Sequence, residues 1–307
     1  MSLLQTVDLC RSFGEIRAVD QLSMTVRSAV MTGFVGANGA GKTTTMRMVV
    51  GVLEPTSGQV LWDGHSITTR VRRQIGYMPE ERGLYLKQPV IDQLVYLGTL
   101  KGYTTNRVRV QVMEYLERFG LADRAKDKLT ELSLGNQQRV QVIAALLGEP
   151  VALVLDEPFS GLDPVAVDAM AAILSEVTST GVPVLFSSHQ LDLVERLCDD
   201  LVILSHGRIV AQGSTDELRR SGPERHRLVA TSDVGWVHGL AGVKVVEQQG
   251  ARAILEFTDP AARDRVVAEA LSHGGLEEFA AIVPTVAEIY RGAVSYTHLR
   301  AHETPEH

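Results

Sequence analysis

The chain of 307 residues contains one short run whose residue types suit the binding of phosphate groups. Residues 36–43 read GANGAGKT, which fits the pattern G-x-x-x-x-G-K-[ST]. Glycines let backbone N–H groups turn towards phosphate oxygens, and the first turn of a following helix adds partial positive charge. Lys42 would reach the β- and γ-phosphates of a nucleoside triphosphate, and Thr43 would ligate Mg²⁺. The residues expected to contact the nucleotide are Gly36, Asn38, Gly39, Ala40, Gly41, Lys42, Thr43 and Thr44.

Two acidic side chains follow an apolar run further along the chain. Residues 151–155 read VALVL, and Asp156 and Glu157 come directly after them. A buried strand that ends in two carboxylates can place Asp156 at Mg²⁺, directly or through water. Glu157 would then orient and deprotonate the water that attacks the terminal phosphate. We therefore predict Asp156 as a metal ligand and Glu157 as the catalytic base.

The hydrophobic pattern predicts the elements that position these residues. Strands are predicted at 3–10, 22–27, 31–35, 152–155, 182–186 and 201–204, and a helix over about 42–50. The first two strands are expected to pair as an antiparallel β subdomain. Residues 89–147 show mostly helical periodicity, which indicates a helical insert. Because the later strands alternate with helices, we expect an α/β fold with a mainly parallel sheet.

The pattern changes near residue 221, where the run SGPE indicates a linker. Strand-like runs at 226–230, 243–248 and 253–257 and a helix-like run at 261–271 predict a small α+β domain over 225–293, after a first domain over 1–220. Residues 294–304 read VSYTHLRAHET and resemble a translated sequencing adapter. We treat 294–307 as an artefact and leave it out of fold and metal reasoning, a natural polar tail being the alternative.

Composition limits the classes of partner. The formal net charge is −7, and nucleic-acid surfaces need clustered basic residues, so we expect no nucleic-acid partner. The N-terminal residues show no signal-peptide pattern. No apolar run approaches the ~20 residues of a spanning helix. A membrane role would therefore require a separate protein.

Further motifs make the chain similar to one known family, the ABC ATPases. Residues 132–139, LSLGNQQR, resemble the signature of that family, and residues 160–163, SGLD, resemble its D-loop. His189 resembles the switch histidine, and Phe13 stands where the family places an aromatic ring against adenine. The resemblance covers about residues 1–220. It implies a P-loop NTPase fold with a RecA-like parallel sheet, an N-terminal antiparallel β subdomain and a helical insert.

The resemblance also implies a function. An ATPase subunit of this kind binds ATP and Mg²⁺ and powers an integral-membrane permease from the cytoplasmic face of the cell membrane. A second ABC subunit, identical or paralogous, would face it head to tail. The residues that would meet the γ-phosphate bound by the other subunit are Ser133, Gly135 and Asn136. Asp163 would contact the opposite phosphate loop, and His189 would touch the γ-phosphate and hold Glu157 and water in line.

Two departures from the usual family pattern indicate a subgroup. Leu134 and Asn136 stand where the signature usually has Gly and Gln, and Glu80 replaces the usual Q-loop glutamine. A carboxylate can still ligate Mg²⁺, so Glu80 is a third predicted metal ligand. With the string PEERGLY at 79–85, these departures resemble the ATPases paired with ABC-2-type permeases, closest to sodium-extrusion and drug-export systems. The domain at 225–293 resembles the C-terminal extension of that subgroup.

Three other functions fit the sequence less well. ABC ATPases of DNA repair or chromosome organisation carry a long coiled coil where this chain has a short insert. Cassettes that act on ribosomes typically come in pairs, and a nucleotide kinase or GTPase would not explain LSLGNQQR. We also predict that the loop at 80–93, together with the helical insert, receives a short coupling helix of the permease.

Overall fold

The structure is a computed structural model that describes residues 2–81, 83–220, 224–259 and 261–292. Its strands are β1 (Leu3–Phe13), β2 (Ile16–Arg27), β3 (Met31–Gly36), β4 (Ser57–Trp62), β5 (His65–Ser66), β6 (Ile75–Met78), β7 (Ala152–Leu155), β8 (Val184–Ser188), β9 (Asp200–Ser205), β10 (Arg208–Ser214), β11 (Arg225–Ala230), β12 (Val243–Gln249), β13 (Arg252–Phe257) and β14 (Leu276–Ile282). Its helices are α1 (Lys42–Val50), α2 (Thr69–Gln74), α3 (Val90–Leu100), α4 (Thr105–Arg118), α5 (Leu134–Leu146), α6 (Pro164–Ser179), α7 (Leu191–Leu197), α8 (Thr215–Arg220) and α9 (Ala261–Ser272). The segment 294–307, predicted to be an artefact, lies outside the described residues.

A six-stranded sheet in the order β10-β9-β3-β8-β7-β6 forms the centre of the first compact unit, which ends at Thr215. Strand β3 pairs in parallel with β8 and β9, and β7 pairs in parallel with β6 and β8. All residues of β3 and β7 are buried, as expected for parallel strands covered on both faces. The carboxyl ends of β3, β7 and β8 therefore meet at one edge of the sheet, which is the usual place for a ligand site.

The N-terminal hairpin is longer than predicted, so the predicted strand bounds of 3–10 and 22–27 are wrong. Strands β1 and β2 pair antiparallel as far as Phe13 and Ile16, and Gly14 takes a positive φ of 59° in the turn between them. Register shifts after Thr6 and Leu9 interrupt the pairing. Since a shift moves side chains to the other face, the alternation of apolar and polar residues is lost there. The alternation of apolar and polar residues therefore predicts an end of β1 that is too early and a start of β2 that is too late.

The predicted helical insert consists of α3, α4 and α5 with short 3₁₀ turns between α4 and α5. The buried positions of α4 are Val108, Val112 and Leu116, which follow the spacing of one helix face. Helix α5 has buried residues on all sides, including three glutamines. None of the helices in the described ranges combines the length and the apolar character that crossing a bilayer requires.

The second compact unit spans Asp216–Gly292 and has its own core. Its four-stranded antiparallel sheet has the order β12-β13-β11-β14, and α9 lies between β13 and β14 in sequence. A 3₁₀ segment, Gly235–Gly239, stands between β11 and β12. The topology is therefore a split β-α-β-β-α-β arrangement in which the first helix is reduced to a 3₁₀ segment. Strand β14 was not predicted, because its exposed residues leave no apolar alternation.

A histidine lies in the core of this second unit. His226 is only 7% exposed, its ring stacks on Phe279 with centroids 5.0 Å apart, and it meets the edge of Phe257 at 5.2 Å. The Nδ1 atom has no hydrogen-bond partner among the described residues. Burial lowers the pKa of His226 below its ordinary value of 6.5, while the carboxylate of Glu224 acts in the opposite direction. The folded unit therefore favours the neutral imidazole more strongly than the unfolded chain does.

We expect the second unit to lose stability as the pH falls through 6.5, because the unfolded chain then takes up a proton that folded His226 binds less well. Replacing His226 by Phe should keep the aromatic stacking and remove this part of the pH dependence. Differential scanning calorimetry between pH 7.5 and 5.5 measures the effect. His238→Phe, at an exposed position of the 3₁₀ segment, is the matched control. An equal fall in both variants would contradict the prediction.

Candidate functional site

A cleft of about 380 Å³ opens at the edge of the sheet where β3 and β7 end. Strand β3 leads into the loop that starts α1, and β7 leads into the two acids. The lining residues are Ala18, Asn38, Gly39, Gly41, Lys42, Thr43, Thr44, Glu80, Asp156 and Glu157. The structure thus brings together most of the predicted phosphate-loop residues, the predicted base and all three predicted metal ligands.

The glycines of the phosphate loop are required by its backbone. Gly41 has a φ of 106°, and a Cβ atom built on it would lie 2.6 Å from the carbonyl oxygen of Ala18. A Cβ on Gly36 would lie 2.7 Å from the carbonyl oxygen of Leu204. Real Cβ atoms do not approach backbone oxygens this closely, so any side chain would displace the loop. The pattern of glycines therefore sets the course of the chain around the cleft.

Lys42 holds its ammonium group at this loop. The residue is 7% exposed, and its Nζ donates hydrogen bonds to the carbonyl oxygens of Gly36 at 2.7 Å and Ala37 at 3.3 Å. Thr43 and Thr44, in the first turn of α1, line the same cleft. The free N–H groups of a helix start attract anions, and a buried ammonium beside them adds a full positive charge. This end of the cleft is suited to a polyphosphate.

Asp156 places a buried carboxylate at the cleft. Its side chain is almost completely buried, and its Oδ1 accepts a 2.5 Å hydrogen bond from Ser187 Oγ. Its Oδ2 atom is buried without a hydrogen-bond partner among the described residues. Leaving a buried carboxylate oxygen unpaired is costly, and a divalent cation would satisfy it. Hard oxygen donors of Thr43, Glu80 and Asp156 in one cleft fit Mg²⁺.

Glu157 is held by its backbone and by one histidine. Its N–H donates to Ser187 Oγ at 2.8 Å, and its carbonyl oxygen accepts from Gln138 Nε2 at 2.8 Å. The residue has a positive φ of 52°, a conformation that non-glycine residues rarely adopt. His189 Nδ1 lies 3.0 Å from Glu157 Oε2, so the Nδ1–H tautomer donates to the carboxylate.

The electrostatic environment of Glu157 suits a base. Burial raises the pKa of its carboxyl group above the ordinary value of 4.5, and the hydrogen bond and charge of His189 lower it in part. A raised pKa makes the carboxylate a better proton acceptor near neutral pH. A carboxylate and an imidazole in contact, next to a phosphate-binding loop, form an arrangement that can orient and activate water.

Sequence reasoning missed two residues that build the site. Ser187 joins Asp156 and the backbone of Glu157 through its hydroxyl group, and Gln138 in α5 binds the Glu157 carbonyl. Gln138 belongs to the run LSLGNQQR, but its spacing alone does not reveal its contact. Ser187 lies at the end of β8, which the structure places at 184–188 rather than the predicted 182–186. The last two residues of β8 are buried serines, so the apolar pattern stops before the strand does.

The remaining predicted residues do not line this cleft. Ser133 caps the N-terminus of α5 by accepting from Asn136 N at 3.3 Å, and Asp163 caps α6 by accepting from Ala166 N at 2.9 Å. Gly135 faces Gly161 of the same chain, since a Cβ on it would lie 3.3 Å from the Gly161 carbonyl oxygen. Phe13 is half exposed at the tip of the β1–β2 hairpin. The roles of these residues opposite a second subunit, and that of Phe13 at adenine, stay predictions.

Comparison with known proteins decides the family. The family described as ABC transporter matches residues 19–160, and the C-terminal domain of ATP-binding proteins like DrrA1-3 matches residues 213–294. The ABC transporter ATP-binding protein YhaQ of Bacillus subtilis, itself described as uncharacterized, is 38% identical over 93% of this chain and 96% of its own length. The chain is the ATP-binding subunit of an ABC transporter. Its characteristic activity is the hydrolysis of ATP.

Two further relatives support the assignment of this chain to the ATP-binding subunits of ABC transporters. The daunorubicin/doxorubicin resistance ATP-binding protein DrrA of Streptomyces peucetius is 34% identical over 71% of this chain and 67% of its own length. A solved ATP-binding subunit of an ABC transporter superposes with a TM-score of 0.66 at 32% identity, over 71% of this chain and 92% of that one. The predicted P-loop NTPase fold and the additional C-terminal domain are confirmed.

Proposed function

We propose that this ATPase subunit binds MgATP in the cleft at the end of β3, closes around it with a second ABC subunit, and powers an exporter permease of the ABC-2 type. The observation that carries the proposal is the contact between Glu157 and His189 at the edge of the cleft that Lys42 and Asp156 line. The residues of that pair and of the phosphate loop come from three separate segments of the chain, so their meeting is a property of the fold.

In the proposed reaction, the phosphate loop and Lys42 hold the β- and γ-phosphates of ATP. Glu157 accepts a proton from the attacking water, and His189 keeps the carboxylate oriented by its 3.0 Å contact. Mg²⁺, when bound, would neutralise phosphate charge, and Thr43, Glu80 and Asp156 are the residues that would hold it. Ser187 fixes the carboxylate of Asp156 in place, because it donates to Oδ1 and leaves Oδ2 for the cation.

The second subunit would complete the site. Ser133, Gly135 and Asn136 lie at the start of α5, where the helix dipole attracts an anion. In the same subunit they lie outside the cleft, so a γ-phosphate bound by a partner is the ligand that suits them. Asp163 would contact the partner's phosphate loop. ATP would thus hold two subunits together, and its hydrolysis would let them separate.

The permease would dock on a larger groove of about 720 Å³ in the same compact unit. Strand β6 forms its floor, and Leu84, Leu97 and Leu100 supply apolar side chains. A groove of this kind suits the apolar face of a short helix. The linearmycin resistance protein LnrL and the doxorubicin resistance protein DrrA are named for drug resistance, which supports an exporter of small molecules.

Docking on a permease would place the subunit at the cytoplasmic face of the cell membrane. We further propose that residues 1–220 act as the ATP-binding domain, with the helical insert at about 89–147, and that 225–293 form an accessory domain. The structure divides its compact units at Thr215, slightly before the proposed boundary.

A photo-crosslinking amino acid at position 84 tests the proposed docking, with the subunit co-expressed with a membrane protein encoded beside it. We expect a crosslink to that protein from position 84 and a much weaker one from position 110. Val110 is the control because it is an exposed apolar residue of α4 that does not line the groove. Crosslinks from position 110 alone would refute the proposed docking surface.

A further inference from the structure

We propose that the open face of the C-terminal sheet is a contact surface for the same face of a second copy of this chain. The open face is defined here as the side of the sheet β12-β13-β11-β14 that carries Arg227, Arg252, Ile254 and Glu278. The proposal goes beyond the ATP-dependent closure of the first unit, since it assigns a partner to a surface outside the nucleotide site.

The two faces of this sheet differ in chemistry. One face is apolar and packs with α9, as shown by the fully buried Leu228, Leu255 and Val266. Alternate residues along β11 and β13 point to the other side, where Arg227 pairs in register with Ile254 and Val229 with Arg252. The 3₁₀ segment after β11 and helix α9 after β13 contribute Val237 and Val266 to the apolar core, and the opposite side carries a concavity of about 690 Å³.

The open face has charges of both signs in equal number. Its basic residues are Arg225, Arg227, Lys244 and Arg252. Its acidic residues are Glu247, Glu256, Glu277 and Glu278. Some of these pair within the sheet: Glu256 accepts from Arg225 at 2.9 Å and from Lys244 at 2.7 Å. Arg252, Glu247 and Glu277 have no ion pair within the described part of the chain.

This charge pattern selects the kind of partner. A nucleic acid or an anionic membrane requires a face of one sign, and the open face is neutral. Single-stranded RNA also needs aromatic rings on which bases stack, and Phe257 and Phe279 pack towards the core instead. Arg225 and Arg227 already pair with Glu256 and Glu278 of their own copy. Under two-fold symmetry, Arg252 of one copy can meet Glu247 or Glu277 of the other, which makes the face complementary to itself.

The size of the face sets the strength of the contact. Four strands about 4.8 Å apart, with six or seven residues each at about 3.3 Å, cover about 400 Å² per copy. A stable interface buries about 800 Å² per partner, so this contact alone should be weak. A larger fraction of the copies would form this contact once another contact raises their local concentration. That increase rests on the proposed ATP-dependent pairing, whereas the weak contact itself does not.

Charge reversal tests the proposal in the full-length chain. Arg252→Glu makes the open face acidic and Glu247→Lys makes it basic, so each variant should repel itself and attract the other. Fluorescently labelled Arg252→Glu protein is titrated with unlabelled Glu247→Lys protein, and association is followed by sedimentation velocity without nucleotide and with MgATP. The matched control is Asp264→Lys, which makes the same charge change on the exposed side of α9.

We expect labelled Arg252→Glu to associate about tenfold more tightly with Glu247→Lys than with Asp264→Lys, and the difference to shrink at high salt. Equal association with both partners, or none with either at the highest attainable concentration, would overturn the proposal. If MgATP produces no dimer of any variant while the charge preference persists without nucleotide, the proposed ATP-dependent pairing fails and the open-face contact stands. Circular dichroism confirms that each variant is folded.

Discussion

Replacement of Glu157 by glutamine should lower ATP turnover by about 10²–10⁴-fold and leave ATP binding intact. Glutamine has nearly the same shape but cannot accept the proton of the attacking water. The backbone of residue 157 is anchored by Ser187 and Gln138, so the change does not alter the course of the chain. Because ATP would remain uncleaved, we also expect this variant to accumulate as a dimer with MgATP.

Release of phosphate from ATP and equilibrium binding of a fluorescent ATP analogue measure the two effects separately. Glu114→Gln, at an exposed position of α4 outside the cleft, is the matched control and should behave as the unaltered chain does. Size-exclusion chromatography with MgATP then reports the dimer. Turnover within a factor of a few of the control would show that Glu157 is not the base. A variant that remains monomeric at saturating MgATP would contradict ATP-dependent pairing.

Lys42→Ala should weaken ATP binding itself, by about 10–100-fold. A hydrogen bond to a charged group contributes about 1.5–3 kcal/mol, and each 1.4 kcal/mol changes affinity tenfold. Lys42 is buried at the phosphate loop, where its Nζ lies 2.7 Å from the Gly36 carbonyl oxygen and where the proposal places the β- and γ-phosphates. Among the residues that the structure describes, the cleft is lined by no other lysine or arginine, so none of them replaces the lost charge.

Isothermal titration calorimetry with ATP and with adenosine separates the phosphate contribution from that of the base. The variant should lose affinity for ATP and keep whatever affinity the chain has for adenosine. Lys126→Ala, at an exposed position, is the control for loss of a lysine. Because Lys42 also bonds to its own loop, thermal unfolding should be compared with that of the control. An unchanged ATP affinity in a folded variant would rule out the role assigned to Lys42.

The sequence was informative wherever the chemistry is local. The phosphate loop from Gly36 to Thr43 and helix α1 after it are contiguous, and the predicted helix at 42–50 agrees with Lys42–Val50. The acids Asp156 and Glu157 follow directly on a buried strand whose predicted bounds, 152–155, also agree with β7. In such segments each residue's role depends on neighbours a few positions away, so spacing alone can predict it.

The spacing of residues along the sequence does not predict long-range contacts. Ser187 lies far from Asp156 in sequence, and they meet only because β7 and β8 are neighbours in the sheet. The same adjacency brings His189 to Glu157. The order of strands results from burial of both faces of the sheet by the helices, which is a property of the whole core rather than of any one segment.

By itself the sequence determined the phosphate loop, the acidic pair, the family and the existence of a second domain. Only the tertiary structure decided which side chains share a cleft, that Asp156 keeps one oxygen unpaired there, and that the signature residues lie away from that cleft in their own chain. It alone also revealed the open face of the C-terminal sheet, since β14 joins beside β11 and its pairing has no trace in the local pattern. The physical reason is common to all of these. Short-range periodicity encodes which residues are buried, whereas the partner that a buried or exposed group meets depends on how distant segments pack.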